Sequence, residues 1–139
     1  MGKPAKDGAP LRVLVVEDNP DNAWGLASLV ELWGHEPQVA SDGESALGAF
    51  VEFEPQVVVA DIGLPRIDGY ELARRLRLLA AGSPERCVFV ALTGYGQPGD
   101  RRRALAAGFD HHLTKPVEPG SLEEILATCA DRPVPAGSG

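Results

Sequence analysis

Cysteine is nearly absent from this chain. Two residues in 139, Cys87 and Cys129, stand far apart in neither a CxxC nor a metal-ligand spacing, which excludes a disulfide-stapled scaffold and an ordinary zinc cluster. Reduced, packed thiols in a cytoplasmic protein are expected. Long apolar runs are missing as well. The longest are one strand in length, and the opening Met1-Gly2-Lys3-Pro4 lacks the apolar core of a signal peptide, so neither a membrane span nor export is expected. Basic residues are in deficit: 13 Lys and Arg against 20 Asp and Glu leave a formal charge of -7. A chain so acidic is repelled by nucleic acid and by anionic membrane, which argues against either as a general partner.

What remains is the composition of one soluble domain, with 44% hydrophobic and 24% charged residues. Residues 1–10 and 132–139 are rich in Gly, Pro and small residues without apolar periodicity and read as flexible flanks, leaving a folded domain over 11–131. Inside it, short apolar runs alternate with helical patterns. The runs are Leu11 to Val16, Gln38 to Ala40, Val57 to Ala60, Cys87 to Leu92 and Asp110 to Leu113. The middle ones are apolar at successive positions, as in strands covered on both faces of a parallel sheet.

Helix punctuation fills the intervals. Asn19 stands as N-cap before Pro20, with Ala23, Leu26, Ala27 and Val30 on one face, ending near Gly34. Ser41 with Glu44 has capping-box spacing before Ala46, Leu47 and Phe50, and Asp68 with Glu71 opens a third helix that is expected to bury Leu72, Leu76 and Leu79. A fourth runs from about Pro98 to Gly108, and a fifth carries Leu122, Ile125, Leu126 and Cys129. Five strand–helix pairs with right-handed crossovers predict an α/β fold: a doubly wound, five-stranded parallel sheet in three layers, a flavodoxin-like (βα)5 arrangement.

In such a sheet ligands bind beyond the carboxyl ends of the strands. The first strand runs out into Glu17 and Asp18, the third into Asp61, the fourth into Thr93, and the fifth into Lys115 followed by Pro116. Three converging carboxylates repel one another unless a cation neutralises them. Magnesium suits the set, because it takes a few carboxylate oxygens and keeps waters that a phosphoryl oxygen can replace. A hydroxyl and an ammonium can hold the remaining phosphoryl oxygens, and a carboxylate can itself accept the group as an aspartyl phosphate.

The stretches Val13-Leu14-Val15-Val16-Glu17-Asp18-Asn19, Val57-Val58-Val59-Ala60-Asp61-Ile62-Gly63-Leu64-Pro65, Asp68-Gly69-Tyr70-Glu71, Ala91-Leu92-Thr93-Gly94 and Leu113-Thr114-Lys115-Pro116, in this order and spacing, resemble a two-component response-regulator receiver domain over about Leu11 to Asp131. The resemblance implies a phosphoacceptor switch rather than an enzyme, one that assists its own phosphorylation and dephosphorylation. It makes Asp61 the phosphoacceptor and gives Glu17, Asp18, Asp61 and the Gly63 carbonyl to Mg2+. Thr93 and Lys115 would contact the phosphoryl group, and the Lys115–Pro116 bond would be cis. The implied partners are a histidine kinase or histidine phosphotransfer protein and a downstream protein on the face of helix four, strand five and helix five. Where the family carries an aromatic switch residue, three before the lysine, this chain has His112, and Tyr95 stands two after the threonine, so either can carry the switch. With only 132–139 after the last helix, a single-domain regulator or the receiver of a hybrid histidine kinase is expected. Ala91 to Gly96 and Ala107 to Asp110 favour the latter.

Gly94-Tyr95-Gly96-Gln97-Pro98-Gly99 fits GxGxxG, but no acidic residue closes the following strand, and three carboxylates would repel the phosphate of a nucleotide or flavin. That counts against a flavodoxin-like small-molecule binding domain. His35-Glu36 is bracketed by Gly34 and Pro37 and reads as a loop histidine. Arg101 to Arg103 read as a solvated or partner-facing helix surface, and Trp24 and Trp33 as packed or helix-edge residues.

Overall fold

The computed structural model describes residues 10–131 apart from 65, 82–86 and 95–97. Of the flanks expected over 1–10 and 132–139, residues 1–9 and 132–139 lie outside the described residues, as does Tyr95. Strands and helices alternate: β1 (Arg12–Val16), α1 (Pro20–Leu32), β2 (Glu36–Ala40), α2 (Gly43–Phe53), β3 (Val57–Asp61), α3 (Gly69–Ala80), β4 (Val88–Thr93), α4 (Pro98–Ala107), β5 (His111–Thr114) and α5 (Pro119–Asp131). The five strands are parallel in the order β2-β1-β3-β4-β5.

The sheet is covered on both faces because its central strands are apolar at every position and alternate residues point to opposite sides. Leu14, Val16, Val58, Ala60, Phe89 and Ala91 face α2, α3 and α4, meeting Phe50, Leu72, Leu76 and Ala104. Val13, Val15, Val57, Val59, Val90 and Leu92 face α1 and α5, meeting Leu26, Val30, Leu122 and Leu126. The cysteines belong to opposite layers, Cys87 to the first and Cys129 to the margin of the second, and no disulfide joins them. Among the described residues no helix is long and apolar enough to cross a membrane.

Two helix starts are as the side-chain chemistry predicts. Asn19 Oδ1 accepts from the Asn22 N–H at 3.0 Å ahead of Pro20, and Asp68 Oδ1 accepts from the Glu71 N–H at 2.9 Å. At α2 the expected cap is displaced by one residue. Asp42, not Ser41, accepts from the Ser45 N–H, at 2.8 Å, since a carboxylate is the stronger acceptor. Leu79 is not buried as expected: the covered stripe of α3 centres on Leu72, Ala73 and Leu76, and Leu79 falls at its margin, exposed. Trp24 likewise stands out from α1, 74% exposed, whereas Trp33 packs partly against the core.

His35 is the larger departure. It does lie between elements, but it is buried, and its Nδ1 accepts the Leu11 N–H at 3.0 Å, fastening the entry of β1 to the turn before β2. Burial pushes the imidazole pKa below its ordinary 6.5. Folding therefore favours the neutral ring. Its stabilising contribution is complete above 6.5 and is lost as pH falls through the folded-state value, because the unfolded chain then binds the extra proton more readily. Urea midpoints measured between neutral and mildly acidic pH should fall more steeply for the wild type than for His35→Gln, which keeps an acceptor without titrating. Parallel curves would remove His35 from the acid response.

One more contact braces the layer that carries α4. Arg77 of α3 donates from Nε and Nη2 to the Gly108 carbonyl at 2.9 and 2.6 Å, and from Nη2 to Asp110 Oδ2 at 2.7 Å. Gly108, at φ +113°, turns the chain from α4 toward β5.

Candidate functional site

The strand order reverses between β1 and β3, since the chain leaves β1 for β2 on one side and crosses back to β3 on the other. Residues that follow those two strands thus border the crevice where such sheets bind ligands. Glu17 and Asp18 follow β1, and Asp61 closes β3. Their carboxylate oxygens come within 4.8 Å of one another. Glu17 and Asp61 are buried while Asp18 is exposed, so the cluster has two anchored members and one at the solvent side.

Each buried carboxylate is held in place. Glu17 Oε2 accepts the Asn19 N–H at 3.1 Å, so the turn that caps α1 also orients this side chain. Asp61 Oδ1 accepts the Gly63 N–H at 2.9 Å and its Oδ2 accepts from Lys115 Nζ at 2.7 Å. Lys115 also approaches Glu17 Oε1 at 3.4 Å. It stands just beyond β5, its bond to the following Pro116 is cis, and its own N–H is tied to the Thr93 carbonyl at 2.7 Å. Thr93 ends β4 buried, and its Oγ1 shares a hydrogen bond of 3.0 Å with His112 Nε2.

The electrostatics are those of an under-neutralised site. Burial raises the Glu17 pKa, and the neighbouring Asp61 charge raises it further against the opposing Asn19 N–H and Lys115. For Lys115, burial alone acts to lower the pKa, but the hydrogen bond and charge of Asp61 and then Glu17 outweigh it, leaving the ammonium above the ordinary lysine value. Three carboxylates face one ammonium. The donor set is entirely hard oxygen, it is crowded, and one member is open to solvent. That is the chemistry a small divalent cation satisfies, and the residues present fit Mg2+.

Gly69 secures the loop behind Asp61. Its N–H donates to the Ile62 carbonyl at 2.9 Å, and a Cβ there would lie 2.5 Å from Ile62 Cα and 3.0 Å from the Asp61 carbonyl oxygen. Both obstacles are backbone and cannot swing aside. Gly69→Ala should therefore cost about 1–3 kcal/mol in unfolding free energy and displace the amide resonances of residues 61–64. Unchanged stability with an unmoved loop would show that the helix start yields more readily than this spacing allows.

The expected site residues Glu17, Asp18, Asp61, Gly63, Thr93, Lys115 and Pro116 all gather at one edge of the sheet. Sequence spacing did not reveal the Thr93–His112 bond or the second duty of Asn19. The first is legible only once the β4–β5 register pairs Ala91 with His112 and Thr93 with Thr114.

Comparison with known proteins agrees with this geometry. Residues 13–127 match the family model described as the response regulator receiver domain. An uncharacterized 14.6 kDa protein of Leptolyngbya boryana is 39% identical over 118 residues, covering 85% of this chain and 88% of that protein. The virulence sensor protein BvgS of Bordetella bronchiseptica is 36% identical over 132 residues, which are 93% of this chain but 11% of that much longer protein. Among solved structures, the receiver domain of the Saccharomyces cerevisiae response regulator Ssk1, in complex with the histidine phosphotransfer protein Ypd1, superposes with a TM-score of 0.81 at 28% identity, covering 90% of this chain and 92% of that one. The fold, the acidic edge and the family match converge, and the chain belongs to the response regulator receiver domain family, the phosphoacceptor signalling modules of two-component systems.

Proposed function

We propose that the unit over residues 11–131 accepts a phosphoryl group on Asp61 from the phosphohistidine of a histidine kinase or histidine phosphotransfer protein. The observation that supports this best is the setting of Asp61: buried at a strand end, gripped through one oxygen by Gly63 and through the other by Lys115, beside Glu17 and Asp18. An Asp61 carboxylate oxygen attacks phosphorus as the bond from phosphorus to the donor's imidazole nitrogen breaks, and the electron pair of that bond leaves with the nitrogen. Bound to the carboxylates of Glu17, Asp18 and Asp61 and to the Gly63 carbonyl, Mg2+ would supply the positive charge that lets two anions approach.

The protein groups do the rest. Lys115 already sits 2.7 Å from Asp61 Oδ2, so a small shift lets its ammonium pair with a phosphoryl oxygen as charge builds there. The Thr93 hydroxyl can donate to another. Downstream, the surface of α4, β5 and α5 would meet the protein that reads the phosphorylated state.

The deciding experiment is incubation with Mg2+ and a small acyl phosphate, followed by intact mass. Addition of a single base-labile phosphoryl group supports the reading, and no addition in the presence of metal and donor counts against it.

A further inference from the structure

Charge is segregated between the two sides of the sheet. α1 and α5 together cover one side. They contain no lysine or arginine, and they expose Asp21, Glu31, Glu123 and Glu124. On the other side α3 and α4 carry three arginines each against a single acid each. α2 shares that side but holds Glu44 and Glu52 and no basic residue, so the positive band is confined to α3 and α4. Arg74 and Arg75 on α3 and Arg102 and Arg103 on α4 are exposed. Arg74 and Arg75 share one carboxylate, that of Glu71, at 3.2 and 3.0 Å, which leaves positive charge over. The Arg103 guanidinium lies across the seam between the helices, 4.3 Å from the centroid of the Tyr70 ring.

Each side also exposes a large apolar side chain, Leu78 on α3 and Trp24 on α1. Asp21 and Trp24 stand three positions apart on one helix and are surface neighbours. A carboxylate beside an open indole suits a guanidinium, which can make an ion pair and a cation–π contact at once.

We propose that the α3–α4 surface docks on the α1–α5 surface of a second copy of this chain. The two surfaces are opposite in sign, and both belong to every molecule. Because they lie on opposite sides of the sheet, the contact is heterologous: each added copy leaves one face of either sign open, and association runs on into stacks instead of closing as a symmetric dimer. Exposed ion pairs are individually weak, so the stacks are transient and depend on concentration. The net charge of -7 opposes the approach of a second copy. At about 0.15 M salt, however, the screening length is about 8 Å, and charges that face one another across the contact outweigh those on remote surfaces.

The test is sedimentation velocity of the intact chain over a concentration series. At about 0.15 M NaCl the mean sedimentation coefficient should rise with concentration, and at about 1 M, where the screening length is about 3 Å, the rise should be lost. Like-charge repulsion alone predicts the opposite, a coefficient that falls with concentration at the lower salt. Arg102→Glu with Arg103→Glu should abolish the rise, and so, separately, should Glu123→Lys with Glu124→Lys. The second pair is the sharper control, because it makes the chain less acidic and would strengthen association if net charge alone governed it. Mixing the two double variants should restore association, since the arginine face of one then meets the acidic face of the other. Trp24→Ala alters no charge and should reduce the rise. Should a double variant lose its far-ultraviolet circular dichroism, Trp24→Ala, at a side chain 74% exposed, carries the test in its place. A wild-type coefficient that stays flat or falls at the lower salt, association that survives either charge reversal, or a mixture that remains monomeric overturns the proposal.

Discussion

Asp61→Asn is expected to eliminate labelling by a phosphodonor while leaving the fold in place. The amide nearly matches the carboxylate in shape, and its oxygen can still accept the Gly63 N–H that Asp61 Oδ1 now accepts at 2.9 Å. What it lacks is the anionic oxygen that attacks phosphorus. Stability should change little, within about 1 kcal/mol, because two effects oppose each other. The variant gives up the 2.7 Å ion pair with Lys115, but it also removes a like charge that helps raise the Glu17 pKa. Lys115 keeps Glu17 as a partner. Intact mass after treatment with donor and Mg2+, together with a urea midpoint, checks both parts. Undiminished base-labile labelling of the asparagine variant would move the acceptor role to another carboxylate.

Asp18→Asn should weaken Mg2+ binding by about 10- to 100-fold, at least the effect of losing an outer-shell partner of a metal ligand. The site has few protein ligands, and Asp18 is its exposed carboxylate, so its loss removes an anionic oxygen without opening the core. The fold should be undisturbed, in contrast to a change at the buried Glu17. Calorimetric titration of the metal into both proteins measures the difference. An unchanged affinity would leave Asp18 outside the coordination set, with the cation held from Glu17 and Asp61 alone.

Most of the architecture is legible in the sequence, for a physical reason. Val57 to Ala60 and Val88 to Leu92 are apolar without alternation, which only a strand covered on both faces tolerates, and Asn19-Pro20 and Asp68 mark helix starts by local hydrogen bonding. Such signals are carried by neighbouring residues. The edges were less legible. β2 begins at Glu36 and includes Pro37, residues whose preferences oppose a strand and which belong to it only because β1 offers a partner. The site followed from topology, since strands that end together bring their next residues together, and five side chains spread over nearly a hundred positions could be placed at one edge. Contacts that depend on register or on a backbone group's need for a partner could not be seen. The Thr93–His112 bond is of the first kind. The burial of His35 is of the second, because the Leu11 N–H at the entry to β1 requires an acceptor that no strand supplies. Asp42 displaced Ser41 because two capping candidates stand side by side, and the choice falls to the better acceptor.

The outermost strand β2 shapes how the molecule behaves among many copies of itself. Glu36 directs its N–H inward to the Leu11 carbonyl, so the next residue along the strand, Pro37, faces outward, where it has no N–H to offer. A stray strand seeking to extend the sheet on that side finds the ladder interrupted beside an exposed glutamate. At the opposite margin β5 is only four residues long. Short strands, proline and charge at a margin are the features that discourage edge-to-edge aggregation. A sheet whose interior is this uniformly Val-, Leu- and Ala-rich would otherwise be a good template for it. The domain is thereby suited to crowding, whether at high concentration or tethered within a longer polypeptide, without its sheet recruiting the strands of its neighbours.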